Sequence, residues 1–488
     1  MSLSDFLRQR LRLIGAKIVC SEGDCGACTV LVGKPTKRKA ESGKRKEEED
    51  ADVSSSSVRF PHSAFRFSYL PVDSCIQFMF QLDGAHVVTV EGLRPPGELN
   101  AVQQAMIDCH GSQCGFCTPG FVMAMTGMLE SHDELDESQL RTGLTGNLCR
   151  CTGYTPIIDA WRRAGDADHE RINELYPPAP LLAELQPHAS EPILMQCEQF
   201  GERHIVACPA TLGEALDFLA ANPAATIVAG ATDVGVRANK THRLPTTILD
   251  LNRIEELDYV RIEGGELCAG ARASWTSLGA AVAEELPEFA RIVSLFGAPQ
   301  IRHVGTIAGN IANASPIADS LPLLLVMEAT LVLASASGRR ELNINNFYRG
   351  YKQFDLRRGE LIAEVRIPLP PEGELLRLYK VSRRRDLDIS TFTAAVRMRL
   401  DGDAIVQASI ALGAVGPVVL RARNTERFLI GKPLTEDTMR AAGDVAVGEI
   451  TPIDDVRGSA DYRNTLTRNV LLKFFYQAQA ETPRVGRQ

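Results

Sequence analysis

The stretch that decides the reading is Cys20-Ser21-Glu22-Gly23-Asp24-Cys25-Gly26-Ala27-Cys28, a C-x4-C-x2-C run with Cys75 as a distant fourth candidate. Thiols at this spacing suit a loop wrapped around a two-iron, two-sulfur cluster, which takes four cysteine thiolates. Gly23 and Gly26 let the backbone adopt positive φ and turn its N–H groups towards the inorganic sulfides. A structural zinc site is the alternative, but zinc ligands usually arrive as two matched C-x2-C hooks.

Further along lie Cys114-Gly115-Phe116-Cys117 and then Cys149-Arg150-Cys151. A C-x2-C and a C-x-C together supply four thiolates for a second cluster. Thr118 and Pro119 open a helix, Thr118 as N-cap and Pro119 in the first turn. Val122, Met125, Met128 and Leu129 then recur at helical spacing. Cys117 therefore sits at a helix N-terminus, where the dipole and free N–H groups favour a thiolate. Cys109, Cys197, Cys208 and Cys268 have no partner spacing and are read as small buried residues.

The rest of the composition narrows the class. The chain has 488 residues, 53 Lys+Arg against 61 Asp+Glu, a net charge of −8, and 44% hydrophobic residues. That is ordinary globular material, enough for roughly three domains. The acidic balance excludes a general nucleic-acid binder, whose phosphate contacts need a basic surface. No apolar run reaches membrane-spanning length; the nearest, Leu321–Ala336, carries Glu328 and reads as a buried helix and strand. The first residues are amphipathic and charged, so no secretory signal is visible, and clustered thiols without one point to a reducing, cytoplasmic setting.

Two stretches rich in small residues follow the cysteine region. Thr226-Ile227-Val228 runs into Ala229-Gly230-Ala231-Thr232-Asp233-Val234-Gly235, and a second loop holds Gly305-Thr306-Ile307-Ala308-Gly309-Asn310. Small residues let backbone N–H groups approach a pyrophosphate closely. One such loop is a weak signal; two beside apolar strands suit a cofactor with two phosphates.

Together the strings CSEGDCGACTV, GSQCGFCTPGF and LTGNLCRCTGY resemble the iron–sulfur part of the xanthine dehydrogenase (molybdenum hydroxylase) family. VAGATDVG, GTIAGNIANASPIAD and KVSRRRDLDIS resemble its flavin domain. The order of parts is similar to that of the small subunit in two-subunit members. The resemblance implies an α+β multidomain chain. Residues 1–75 form a β-grasp, ferredoxin-like domain and 76–167 a small helical bundle, each with a 2Fe-2S cluster. A Pro-stiffened linker covers 168–190, an α+β FAD-binding domain 191–370, and a C-terminal α+β subdomain 371–480, with strands at Ala394–Leu400 and Ile405–Leu412.

Two features depart from the family pattern. The chain starts almost at the first helix, where Phe6, Leu7 and Leu11 share a face and Gly15 ends it, without the usual preceding β-hairpin. A polar stretch from about 33 to 61, with basic triplets, an acidic block and Ser54–Ser57, reads as a disordered insertion. A basic targeting signal is the sharper reading of it, but the adjacent acidic block neutralises the charge.

Functional roles come from the resemblance. It places the FAD pyrophosphate on Val228–Gly235 and on Gly305, Thr306, Gly309 and Asn310. Phe296 lies against the ring system, Asp319 and Lys380 make polar contacts, and Tyr351 lies near the nicotinamide nucleotide. Gln113 contacts the pterin of a molybdenum-cofactor-binding large subunit, which binds the purine. Arg383-Arg384-Arg385, beside Lys380, is either a solvated face or a share in binding the acidic cofactor. The implied activity passes electrons from that partner through both clusters to FAD and on to NAD while hypoxanthine and xanthine become urate. The implied assembly is a hetero-oligomer, and no general base belongs to this chain. Related subunits acting on aldehydes or other N-heteroaromatics, and a stand-alone flavin/iron–sulfur NADH reductase, are the alternatives.

Overall fold

A computed structural model describes residues 1–37, 65–94, 97–132, 136–167, 169–185, 191–199 and 201–481. Its first sheet is built on β1 (Thr29–Lys37), which pairs antiparallel with β2 (Phe65–Asp73) along its whole length. On the other edge, Leu31–Gly33 of β1 pair with β3 (His86–Val88), giving the order β2-β1-β3. Successive residues of a strand face opposite ways, and here both faces are covered. Val30 and Val32 join Leu3 and Leu7 in one core, while Leu31 joins Phe121 and Met125 in another.

The polar stretch expected from Gly33 begins later than its composition suggests. Lys34–Lys37 are still paired strand, because Phe65–Ser68 supply a partner that local composition does not reveal. The basic triplets, acidic block and serines of 38–64 lie outside the described residues. The first helix also differs. After Ser2 caps Leu3–Asp5, the turn widens over Phe6–Arg10, and the Leu11 N–H reaches the Phe6 carbonyl at 3.2 Å. The wider turn shifts the face, so Leu3 and Leu7 are buried and Leu11 is exposed. The chain leaves the helix at Arg12, with φ 61°, before Gly15.

The second unit packs helices Ala101–Asp108, Thr118–Ser131, Glu137–Gly143 and Thr155–Gly165 around Phe121, Met125 and Trp161. Cys117 occupies the N-cap position of Thr118–Ser131, one residue before the expected cap, and the Thr118 hydroxyl instead donates to Ser112. The expected linker is structured. Helices Ile172–Leu175 and Pro178–Leu185 place Ile172 and Leu182 in the same core. Asn173 pairs with both the N–H and the carbonyl of Phe67, each at 2.9 Å. Residues 168 and 186–190 of that segment lie outside the described residues.

The half expected to bind flavin opens with β4 (Ile193–Gln199), β5 (Glu202–Cys208), β6 (Thr226–Val228) and β7 (Thr247–Asp250), in the order β4-β5-β7-β6. A second sheet takes β8 (Val260–Glu263), β9 (Glu266–Gly270), β10 (Thr330–Ser335) and β11 (Gly338–Asn343). After the hairpin β12 (Tyr348–Gly350) and β13 (Gln353–Phe354), β14 (Leu361–Pro368) inserts between β10 and β9. Leu321–Val326 is a buried helix that leads into β10, so the longest apolar run is spent inside this core. No described helix is long and apolar enough to cross a membrane.

The last unit is the antiparallel sheet β15 (Leu375–Val381), β16 (Phe392–Asp401), β17 (Ala404–Gly413) and β18 (Leu420–Arg421), covered by helix Ala460–Glu481. Of the four unassigned cysteines, Cys208 and Cys268 are buried and Cys109 half-buried. Cys197 is exposed on edge strand β4, contrary to the expectation of a core residue.

His303 ties the flavin half to the first sheet, its Nδ1–H donating to the Pro71 carbonyl at 2.7 Å. Burial is the main cause that depresses its pKa to about 4, against about 6.5 in an unfolded chain. A depressed value means the neutral ring is preferred in the fold. Its stabilising contribution is complete above pH ~6.5 and is lost as pH falls through about 4. Hydrogen exchange should therefore show β2 losing protection across that acid window. His303→Gln, whose amide can still donate to Pro71, should flatten the dependence.

Candidate functional site

The first four thiols come together. Cys20 lies beside Cys25 and Cys75, and Cys75 also beside Cys28, close enough for the thiols to perturb one another. Contacts from Cys25 and then Cys75 hold the Cys20 thiol far below its ordinary range, and the contact with Cys20 pushes Cys25 up. Gly23 and Gly26 carry positive φ of 77° and 66°. A Cβ on Gly26 would lie 2.2 Å from the Gly146 carbonyl oxygen, so only glycine fits. Asp73 is buried beside Cys28, whose sulfur lies 3.5 Å from Oδ1, while Oδ2 has no partner.

The second foursome meets in pairs, Cys114 with Cys151 and Cys117 with Cys149. Cys117 is pushed up to about 12, by burial first and then by Cys149. Cys149 lies 3.3 Å from the Thr152 hydroxyl. Among the described residues, no three Cys, His, Asp or Glu side chains converge as a single metal ion requires. Four thiolates are gathered in each group, the donor set that a 2Fe-2S cluster would take.

A backbone hydrogen bond joins the two loops beside the thiols. The Leu148 N–H, next to Cys149, donates to the Cys25 carbonyl at 3.0 Å. Their environments differ: Cys28 and Cys75 are buried, whereas Cys114 and Cys151 are exposed, as is Gln113. Exposed Phe116, Leu148 and Tyr154 surround the second group.

The two small-residue loops lie against each other. A Cβ on Gly230 would be 2.0 Å from the Val304 carbonyl oxygen and 2.9 Å from the Gly305 Cα. Ala231 takes φ 58°, and Thr306 caps helix Ile307–Asn313 by accepting from the Gly309 N–H at 3.1 Å. The Ala229 carbonyl accepts from Gln81 at 2.9 Å and Asn252 at 2.7 Å, so the loop is fastened to the iron–sulfur half.

Phe296 packs edge-on against Trp275, with ring centroids 4.9 Å apart. It lines a cavity of about 390 Å³ with Asn310, Asp319, Arg384 and Arg457. That volume lies within the range of cofactor pockets, about 300–1,000 Å³. Asp24 lines the same cavity, so the first cysteine loop forms part of its wall. Lys380 supports the cavity from behind: its ammonium donates to Asp319 at 2.7 Å, Ser390 at 2.8 Å and the Asp388 carbonyl at 3.0 Å. Those three acceptors use all three of its protons. Tyr351 is 61% exposed and lies outside this lining.

Several residues at the site were not legible beforehand. Asn239 donates to the carbonyls of Ser21 and Cys75, both at 2.9 Å, and so ties the helix after the first flavin loop to the cysteine loop. Gln77, Gln81 and Gln300 act similarly, and Arg457 comes from a distant turn. Asn147 sits inside the string LTGNLCRCTGY, but only the fold gives it a partner.

Four family models match the chain in sequence order. They are a 2Fe-2S iron–sulfur cluster binding domain (1–55), a [2Fe-2S] binding domain (89–162), the FAD binding domain in molybdopterin dehydrogenase (198–370) and the CO dehydrogenase flavoprotein C-terminal domain (377–478). Aldehyde oxidase 1 of Bos taurus is 30% identical over 97% of this chain, and xanthine dehydrogenase 1 of Arabidopsis thaliana 28% over 97%. The chain spans 38% of the length of each. In the carbon monoxide dehydrogenase structure from Hydrogenophaga pseudoflava lacking the Mo-pyranopterin moiety, one chain is 31% identical. It matches with a TM-score of 0.54, covering 59% of this chain and 99% of its own.

The loop contact at Gly230 sets a prediction. Gly230→Val must part the two loops, so flavin per chain should fall severalfold while iron and sulfide stay at parental levels. Absorption spectra with chemical iron analysis of both proteins check this.

Proposed function

The chain belongs to the molybdopterin dehydrogenase family of molybdenum hydroxylases, and we propose that it is the electron-transfer subunit of a xanthine dehydrogenase, paired with a separate molybdenum-cofactor-binding chain. Cys20, Cys25, Cys28 and Cys75 hold one cluster, Cys114, Cys117, Cys149 and Cys151 the other, and the Phe296–Asp319 cavity holds the flavin ring. When bound, the clusters carry single electrons from the partner's molybdenum centre and FAD exchanges electron pairs with NAD, as xanthine becomes urate on the partner.

The observation that carries this reading is contiguity. One hydrogen bond joins the peptide beside Cys149 to that of Cys25, and Asp24, next in the chain, walls the flavin cavity. The chain's own residues hold these parts in fixed relation and keep Cys28 and Cys75 out of water. Arg384 and Arg457 at the cavity offer cations to the phosphates of a nicotinamide nucleotide, with Tyr351 as an outer contact.

The exposed rim of Phe116, Leu148 and Tyr154 around Cys114 and Cys151 suits burial under the partner, with Gln113 reaching its pterin. A stand-alone NADH reductase has no use for such a rim. An aldehyde-oxidising partner is the second reading, favoured by the 30% identity to aldehyde oxidase 1. In this reading the partner binds the molecule that is oxidised, so the partner decides between them.

Co-purified complex should contain about four irons and one FAD per copy of this chain, give two EPR-distinct reduced clusters, and reduce NAD with xanthine. Zinc in place of iron would overturn the electron-transfer assignment. Turnover of aldehydes without xanthine would overturn only the substrate.

A further inference from the structure

At the seam of the three cofactor-bearing regions lies a buried polar network centred on Gln300, in helix Pro299–Arg302 just after Phe296. Gln300 is fully buried, and Asn147 and Thr29 nearly so, at 3% and 1% exposure. The Gln300 amide Nε2 donates to Asn147 Oδ1 at 2.8 Å and lies 3.3 Å from Thr29 Oγ1. Asn147 Nδ2 and the Thr29 hydroxyl both donate to the Gly26 carbonyl, at 3.1 and 2.6 Å.

Proton accounting fixes the direction of this network. Thr29 has one hydroxyl proton, committed to Gly26, so its oxygen can only accept from Gln300. Asn147 presents its oxygen to Gln300 because its amide protons face Gly26. A flipped Gln300 would set two amide oxygens against each other, so the observed orientation is required. The remaining Gln300 oxygen has no hydrogen-bond partner and rests on Gly146, where a Cβ would come within 1.9 Å of it. A buried amide held at one end and unpartnered at the other loses the hydration of its free oxygen without recompense. Filling the seam with an apolar side chain would avoid that cost, so the amide is a poor choice for stability alone.

What the network holds is specific. Asn147 immediately precedes Leu148, whose N–H forms the bridge to Cys25, and Gly26 immediately follows Cys25. Gln300 thus reaches from the flavin half to both sides of the bridge between the cysteine groups. We propose that Gln300 is a positioning residue for electron transfer: through Asn147 and Thr29 it holds the Leu148–Cys25 peptide bridge at hydrogen-bond length and fixes both cysteine loops relative to the flavin cavity. This rests on the electron-transfer reading above, and its test separates the two.

The test compares the full chain with Gln300→Leu and Thr29→Val, the second being nearly isosteric. In the parent and both variants, hydrogen exchange is followed in the peptide that contains Leu148. EPR of the reduced protein measures the magnetic splitting between the two clusters, and stopped-flow absorbance follows electron exchange between flavin and clusters. The expected result is exchange at Leu148 faster by about tenfold or more, altered splitting, and transfer slowed by about tenfold, with iron and flavin content retained. Unchanged exchange at Leu148 would overturn the proposal. So would unaltered splitting and transfer in loaded variants, and so would joint loss of all cofactors with a lowered melting temperature, which would mark general support of the fold. If the parent itself lacked iron, the electron-transfer reading would fall, while faster exchange at Leu148 would still report the lock.

Discussion

The Gly26 carbonyl oxygen is the point on which the arrangement of the site depends. It accepts from the Thr29 N–H at 3.1 Å, the Thr29 hydroxyl at 2.6 Å and the Asn147 amide at 3.1 Å. A Cβ on Gly120, in the helix that follows Cys117, would lie 2.2 Å from the same oxygen. Gly26 itself has its Cβ position filled by the Gly146 backbone. Two bare backbones therefore touch where the first cysteine loop meets the second. Side chains at either place would separate the loops by the width of a methyl group, and the Leu148–Cys25 hydrogen bond would not survive that separation.

The same close approach continues into the flavin half, by different means. Asn239 ties carbonyls on either side of the first cysteine group, and Gln77 and Gln81 fasten the Ala229–Gly230 carbonyls from the iron–sulfur side. Side-chain amides suit such seams because each can donate and accept without bringing a charge into a dry interface. The charge behind the flavin cavity is fully matched. Lys380, with 2% of its side chain exposed, meets Asp319, Ser390 and a carbonyl. Removing one partner of such a pair costs about 3–5 kcal/mol. Lys380 is thus a fixed part of the cavity wall, with no proton left to offer a ligand.

What the sequence made legible follows from how local the signals are. Cysteine spacing, the small-residue loops and the apolar periodicity of Thr118–Ser131 are patterns within a few residues, and the α+β architecture could be read from them. Features that depend on a distant partner could not. The strand character of Lys34–Lys37 comes from Phe65–Ser68 across a long gap. The expected linker folds because Asn173 and Leu182 find partners in the first sheet and the helical core. Cys197 is exposed because β4 is an edge strand, a matter of sheet order. Gln300 and Asn239 carry no local signature at all. An amide in a helix reads as a surface residue until the fold buries it against another domain.

The contrast in burial between the two cysteine groups gives the proposed relay its direction. The first group is the more enclosed, with Cys28 and Cys75 packed against Ile76, Val236 and Ile301, the last two from the flavin half, and Cys20 and Cys25 half-buried. It lies between the cavity walled by Asp24 and the second group across the Leu148 bridge. The second group opens to the surface at Cys114 and Cys151, amid exposed aromatic and aliphatic side chains. An external donor meets the more exposed thiols there, at the second group. Covering that rim would also remove the second group from water, so a docked partner would change the electrostatic setting of its thiolates as well as their access. In the proposed relay, electrons arriving from a second protein would enter at Cys114 and Cys151 and reach the flavin across the seam that Gly26 and Gln300 hold closed.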